Sequence, residues 1–263
     1  MLLFRSACHA SRGARRYQED AALTWPAAPS TGGPAAATDH LVAVLADGMG
    51  GHVGGAVASR IVCEAFIDSI TKARGSSRER LRTALEAANR AIAERVAGNP
   101  ALRGMGSTLV GALFGPDGVE WVSVGDSPLY LYRGKEVALL NEDHSLAPAL
   151  DQLAAEGKLS VVEARSDPRR HLLRSAITGE DLELVDLSRQ PLALHAGDCV
   201  LLASDGIQTL DTEEIARIIG AYLDDGPEAV AQALVRAVDE ARDPHQDNVT
   251  VLVLKPVEQA SQT

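Results

Sequence analysis

Val42 to Gly55, VAVLADGMGGHVGG, constrains the chain more than any other stretch. Its run of apolar residues, Val42 to Ala46, predicts a buried strand that ends at Asp47, because Gly48, Gly50 and Gly51 remove side chains where the backbone turns sharply. Helix is expected from Val53. A strand that delivers a carboxylate into a glycine loop, with His52 at the mouth of the next helix, gathers an anion, free backbone groups and a titratable ring in one place. On this stretch alone a plain Asp-Gly turn and a metal-phosphate site fit equally. A dinucleotide fingerprint does not fit, since its third glycine would fall at Val53, and no Walker lysine follows. The leading carboxylate would repel a phosphate unless a cation lay between them, so Asp47 points to a metal.

At 263 residues the chain is long enough for one large single-core domain or two small ones, and its 46% apolar share allows an ordinary globular core. Lys and Arg number 25 against 36 Asp and Glu, and the net charge of -11 argues against nucleic acid or an anionic membrane as partner. The apolar start before Arg5 is too short for a signal sequence, and no run approaches the ~20 residues of a membrane span. A cytoplasmic, soluble monomer is the expectation. Cys8, Cys63 and Cys199 are scattered and lack CxxC spacing, so neither a disulfide framework nor structural zinc is indicated.

Residues 4–11 and 20–25 read as a first pair of strands joined by the charged segment Arg12 to Glu19. Arg15, Glu19 and Asp20 there are, without a partner elsewhere, solvated turn charges. Pro26 to Thr38 is a low-complexity loop. Apolar spacings of three and four predict an antiparallel helix pair over Val53–Ala73 and Arg78–Val96, closed by Gly98, Asn99 and Pro100. Ser107–Phe114, Val119–Val124, Leu129–Arg133 and Glu136–Leu140 read as short strands of an antiparallel sheet, with Asp126 in one of the turns. Asn141 to Ser145, NEDHS, leads into a polar helix over 146–156. Residues 157–180, with the charged cluster 167–171, read as a mobile surface region or flap. Strands resume at Leu182–Leu187, Cys199–Ala203 and Val249–Leu254, with helices about Thr212–Gly220 and Pro227–Ala241 before the last of them.

Strand boundaries carry aspartate at Asp47-Gly48, Asp205-Gly206 and Asp247-Asn248, converging on one edge of a sheet. Carboxylates gathered there would repel by several kcal/mol unless divalent cations neutralised them, which makes a metal cluster the most sensible arrangement. Oxygen ligands alone favour magnesium or manganese over zinc.

With these residues in place the chain resembles the metal-dependent protein phosphatases of the 2C type. The resemblance is carried by RRYQED (15–20), DGMGGH (47–52), GST (106–108), GDS (125–127), SDGI (204–207) and DN (247–248), in the family's order and spacing. It implies an α+β fold, a four-layer α-β-β-α sandwich of two central antiparallel sheets flanked by helix pairs. A single catalytic domain over 1–256 is expected, with a flap about 145–180 and a short polar tail over 257–263. By the same resemblance two Mn2+ or Mg2+ ions are held: Asp47 bridges them, the Gly48 carbonyl binds one, Asp205 and Asp247 bind the other, and Glu19 and Asp20 act through water. Arg15 holds the substrate phosphate, its fork pairing with two oxygens. The implied activity is hydrolysis of phosphoserine and phosphothreonine in proteins, the targets of a cognate kinase, by a metal-bridging water without a phosphoenzyme. His52, with an unperturbed pKa of about 6.5, suits the general acid for the departing oxygen.

Departures from the family pattern are specific. Gln18 replaces a common Asn, Pro128 replaces the arginine of GDSR, and Thr209 stands where an aspartate four residues after Asp205 is usual. That aspartate and the one matching Asp126 help bacterial relatives hold a third, weaker ion, which here would rest on Asp126 and Asp205. Two other readings stay open: a weakly active phosphoprotein-binding regulator that antagonises a kinase, and a hydrolase of small phosphate esters. Loss of Asp47, Asp205 or Asp247 would have favoured the first, and none is lost.

Overall fold

Apolar strands and amphipathic helices alternate in blocks along the computed structural model, which describes residues 2–26, 37–50 and 53–258. The first block is β1 (Leu2–Ser11), β2 (Asp20–Trp25) and β3 (Leu41–Met49), followed by α1 (Val53–Lys72) and α2 (Ser77–Gly98). Strands β4 (Gly106–Ser107), β5 (Leu109–Gly115), β6 (Gly118–Val124), β7 (Leu129–Arg133) and β8 (Glu136–Leu139) come next, then α3 (Ala147–Ala155) and α4 (Val161–Ser166). The chain continues through β9 (Asp186–Leu187), β10 (Cys199–Ala203), α5 (Thr212–Tyr222), α6 (Pro227–Ala241) and β11 (Val249–Glu258). Residues 259–263 of the expected tail and most of the 26–38 loop lie outside the described residues.

The strands form two antiparallel sheets, ordered β1-β11-β10-β7-β8 and β2-β3-β5-β6-β9, with β4 pairing the end of β3. Side chains alternate between faces with a period of two, so a strand buried on both faces must be apolar throughout. Strand β3 is such a strand: Leu41, Ala43 and Leu45 pack against the opposite sheet, while Val42, Val44 and Ala46 pack under α1 and α2. Strand β10 divides likewise, Val200 and Leu202 facing inward and Cys199, Leu201 and Ala203 lying under α5 and α6. Three apolar layers result, one between the sheets and one beneath each helix pair, as the four-layer sandwich requires.

Four sequence expectations change. Strands β1 and β2 do not pair: β1 joins β11 along its whole length and β2 joins β3, so the first two strands enter different sheets. The strand run over 107–140 also divides, since β5 and β6 pair in one sheet and β7 and β8 in the other. Local alternation is blind to such a crossing, because both halves alternate alike. Strand β3 does not end at Asp47 but runs to Met49, because Gly48 and Met49 pair with Ser107 and Gly106. The strand expected at Leu182–Leu187 shortens to Asp186–Leu187, which pairs with β6.

The last part of the segment read as a flap is tied to the body, while its helical part is held by contacts within the segment. Residues 161–166 form α4 behind a Ser160–Glu163 capping box, and Ile177 is fully buried with its backbone bridged to Ser107. Asn89 of α2 reaches the same segment, accepting from Gly179 N at 2.8 Å and donating to Glu180 O at 2.7 Å. Arg170 pairs with Asp151 of α3, and Arg169 with Asp167. Among the described residues no helix is long and apolar enough to cross a membrane.

Helix α1 approaches its sheet closely at Gly111 of β5, where an added Cβ would fall 2.2 Å from the Phe66 ring. Phe66 is fully buried and cannot swing aside. Gly111→Ala is therefore expected to lower stability by about 1–3 kcal/mol, as overpacking does. A urea midpoint unchanged from the parent would contradict this packing.

Candidate active site

Asp20 opens β2 and lies directly across the ladder from Asp47 of β3. Like charges so placed repel. Asp205 follows β10 at the start of a short 3-10 turn, and Asp247 precedes β11, its neighbour in the other sheet. The aspartates therefore meet where the ends of two sheets come together across the sandwich, rather than along one sheet edge as expected from sequence. Asp47, Asp205, Asp247, Asp126, Glu19, Gly48 and Arg15 line one cavity of about 670 Å³. Asp20 sits behind its wall, where Oδ2 accepts from Ser204 Oγ at 2.7 Å.

Backbone hydrogen bonds hold these carboxylates in place. Thr108 Oγ1 accepts from Asp47 N at 2.9 Å, while Ser107 Oγ and Thr108 N donate to Asp47 O at 2.8 and 2.9 Å. Both ends of the Asp47 peptide unit are thus fixed by the GST motif. Thr108 Oγ1 in turn lies 2.7 Å from Ser127 Oγ of the GDS motif. Asn248 organises the first motif: its Oδ1 accepts from Glu19 N at 2.7 Å and its Nδ2 donates to Arg12 O and Tyr17 O at 2.9 Å. Gln18 keeps the bracing role of an amide, Oε1 accepting from Asp20 N at 3.2 Å.

Gly48 is required for a different reason from the sharp turn expected of it. An added Cβ would stand 2.1 Å from Gly55 O and 2.6 Å from Glu19 O, so three backbone segments meet where only glycine fits. Gly50, at φ +127°, is the position that needs glycine for its conformation. Gly55 makes room for the Glu19 carboxylate, since a Cβ there would lie 2.5 Å from Oε1. Gly51 and His52 lie outside the described residues.

Burial and mutual repulsion dominate the electrostatics. Burial, then the charges of Asp20 and Asp205, pushes the Asp47 carboxyl well above its ordinary range. Burial raises Asp20 to about 6 even though Ser204 donates to it. Burial, Asp205 and Asp143 raise Asp126 to about 7. Asp205 is raised by burial and by Asp247. Arg15 answers part of this charge by pairing with Asp247.

Glu19 Oε1, Asp20 Oδ1 and Asp205 Oδ1 are buried without a hydrogen-bond partner among the described residues. Buried carboxylate oxygens left bare, in a cavity with a net negative wall, suit hard divalent cations that take oxygen ligands. Among the described residues no three acidic, histidine or cysteine side chains close around a single point. The donor set suits ions shared between carboxylates and the Gly48 carbonyl rather than a cage of side chains alone. Thr209 stands apart from the cavity, its Oγ1 donating to Gln246 Oε1 at 2.6 Å.

Sequence reasoning did not place His171, Arg174, Glu180, Asp181 or Glu183, which the 157–184 segment brings to the same cavity. Nor did it give roles to Ser107, Ser204 and Asn248. Their motifs were visible, but which backbone group each hydroxyl or amide would meet depends on how the two sheets stack.

A family model described as protein phosphatase 2C matches residues 34–238. The chain is 37% identical over 217 residues to the serine/threonine protein phosphatase PstP of Mycobacterium tuberculosis, which covers 81% of this chain and only 40% of PstP. It thus spans about two fifths of that relative's length. Protein phosphatase PhpP of Streptococcus pneumoniae is 32% identical over 217 residues, covering 80% of this chain and 84% of PhpP. The crystal structure of the PstP catalytic domain in complex with two manganese ions matches with a TM-score of 0.77 at 31% identity, covering 98% of this chain and 100% of that one.

Carboxyl groups with raised pKa values bind protons more tightly folded than unfolded, so their contribution to stability is lost as pH rises from their ordinary value through the folded one. In metal-free protein, Asp126→Asn is expected to gain stability over the parent as pH climbs from about 4 to about 7. Manganese should raise the parent's midpoint and shrink that advantage. Urea midpoints in chelator across this range, equal for both proteins at every pH, would exclude the repulsion.

Proposed function

The chain belongs to the protein phosphatase 2C family, and on that premise we propose that it is a metal-dependent protein phosphatase acting on phosphoserine and phosphothreonine. The observation that carries this reading is the convergence of Asp47, Asp205, Asp247, Glu19 and Arg15 on one cavity whose buried carboxylate oxygens lack partners. Asp47, the Gly48 carbonyl, Asp205 and Asp247 would hold two divalent ions, manganese or magnesium, with Glu19 and Asp20 acting through water. Bound there, divalent ions acidify water and offset the charge on phosphoryl oxygens. A third, weaker ion would rest on Asp126 and Asp205 without help from Thr209, whose hydroxyl is engaged by Gln246.

The chain's own groups supply binding and orientation. Arg15 at the cavity presents a guanidinium fork suited to two phosphoryl oxygens, and its pairing with Asp247 holds that fork beside the carboxylates. Asp47, fixed at both ends of its peptide unit by Ser107 and Thr108, loses little freedom when its carboxylate is engaged. His52 is assigned from sequence as the group that protonates the departing serine or threonine oxygen. The cavity is roomy enough for a phosphorylated side chain with flanking peptide. Residues 1–256 are taken as the catalytic unit, a monomer working in the cytoplasm on targets of a cognate serine/threonine kinase.

Phosphate release from a phosphothreonine peptide with manganese tests the reading. The parent should turn over, a chelator should stop it, and Asp205→Ala should lower turnover by about 100-fold or more. Equal release by parent and Asp205→Ala, or none from the parent with manganese bound, would refute it. A sugar phosphate run alongside separates a protein phosphatase from a hydrolase of small esters.

A further inference from the structure

Between β6 and β7 the chain leaves one sheet and enters the other, and residues 125–128 make the crossing. Backbone groups in such a crossing fall outside both ladders and need partners elsewhere. The segment Asn141 to Ser145, NEDHS, supplies them. Asn141, only 6% exposed, accepts from Leu129 N at 2.7 Å and donates to Ser127 O at 3.0 Å and Ser123 Oγ at 3.2 Å. His144, 2% exposed, grips Gly125 twice: its N donates to Gly125 O at 3.1 Å, and its Nδ1 accepts from Gly125 N at 3.2 Å. Burial holds the imidazole below its ordinary pKa, which favours the neutral ring that Nδ1 needs to accept from Gly125 N.

The same segment faces the other way onto the cavity wall. His144 O accepts from Arg174 N at 2.8 Å, Leu146 N donates to Leu172 O at 3.0 Å, and Ser145 is bridged to Leu173. Leu172, Leu173 and Arg174 line the cavity, as does Asp126 beside Gly125. From Ser127 the connection runs through Thr108 Oγ1 to Asp47 N. Resting on the phosphatase reading, we propose that Asn141 and His144 are positioning residues, which set the spacing between the Asp126 wall and the 172–174 wall and brace Asp47 through Ser127 and Thr108. Neither touches the cavity itself.

Asparagine places its Oδ1 close to where histidine carries Nδ1, so His144→Asn keeps an acceptor for Gly125 N while His144→Phe and the smaller His144→Ala remove it. Hydrogen exchange at the Gly125 amide, measured in metal-free protein, reads the grip directly, and kcat and KM on a phosphothreonine peptide read its consequence. Removal is expected to speed Gly125 exchange and lower kcat/KM by about tenfold, the scale of one hydrogen bond, with His144→Asn restoring both to within about threefold. Unchanged Gly125 exchange in His144→Ala would overturn the assignment. So would equal loss of turnover in His144→Ala and His144→Asn, which marks a merely structural residue. The exchange arm needs no turnover, so an inactive parent would sink the phosphatase reading while Gly125 protection still decides the grip.

Discussion

Repulsion among buried carboxylates is the constraint around which this molecule is arranged. Asp20 and Asp47 face each other across a ladder, and Asp126 and Asp205 add their charges to the same region. Left alone, such a group would take up protons or splay apart, and the raised pKa values of all four register that tension. What keeps them together is mostly neutral: hydroxyls of Ser107 and Thr108 and the amides of Asn248 and Gln18 hold the backbone from which the carboxylates project, and the Ser204 hydroxyl donates to the Asp20 carboxylate itself. Among the described residues Arg15 is the one guanidinium paired within the group.

The scaffold is suited to bearing that strain. Strands such as β3 and β10 are buried on both faces, so their ends cannot shift without disturbing two apolar layers at once. The carboxylates sit at those ends, where side chains from both sheets can meet yet still reach a cavity. Close approaches at Gly48 and Gly55 let β3, α1 and the Glu19 loop share a space that any larger residue would fill. Stability given up at the carboxylates is offset by packing elsewhere, a common division in proteins that bind ions.

Much of this was legible from the residues in order. Apolar runs bounded by aspartate or glycine located β3, β10 and β11, spacings of three and four located α1 and α2, and the expected ranges of α5 and α6 fall within a few residues of the observed ones. Asp47, Asp205, Asp247, Glu19, Arg15 and Asp126 stand in one cavity, as their motifs implied. What was missed has a common cause. The pairing of β1 with β11 spans almost the whole chain, and the switch of sheets at 125–128 leaves no mark on local periodicity. The 157–184 segment looked loose because its anchors, Asn89 and Ser107, lie far away in sequence.

The sequence by itself therefore determined most of the elements, the family and the kinds of atom available for chemistry, because hydrophobic periodicity and side-chain type are local properties. Only the tertiary structure decided which carboxylates face one another, which hydroxyl fixes Asp47, and why Gly48 admits no side chain. Those facts depend on distances between segments that are remote along the chain. They are fixed when two sheets stack and their buried faces interlock, a step that no stretch of sequence carries alone.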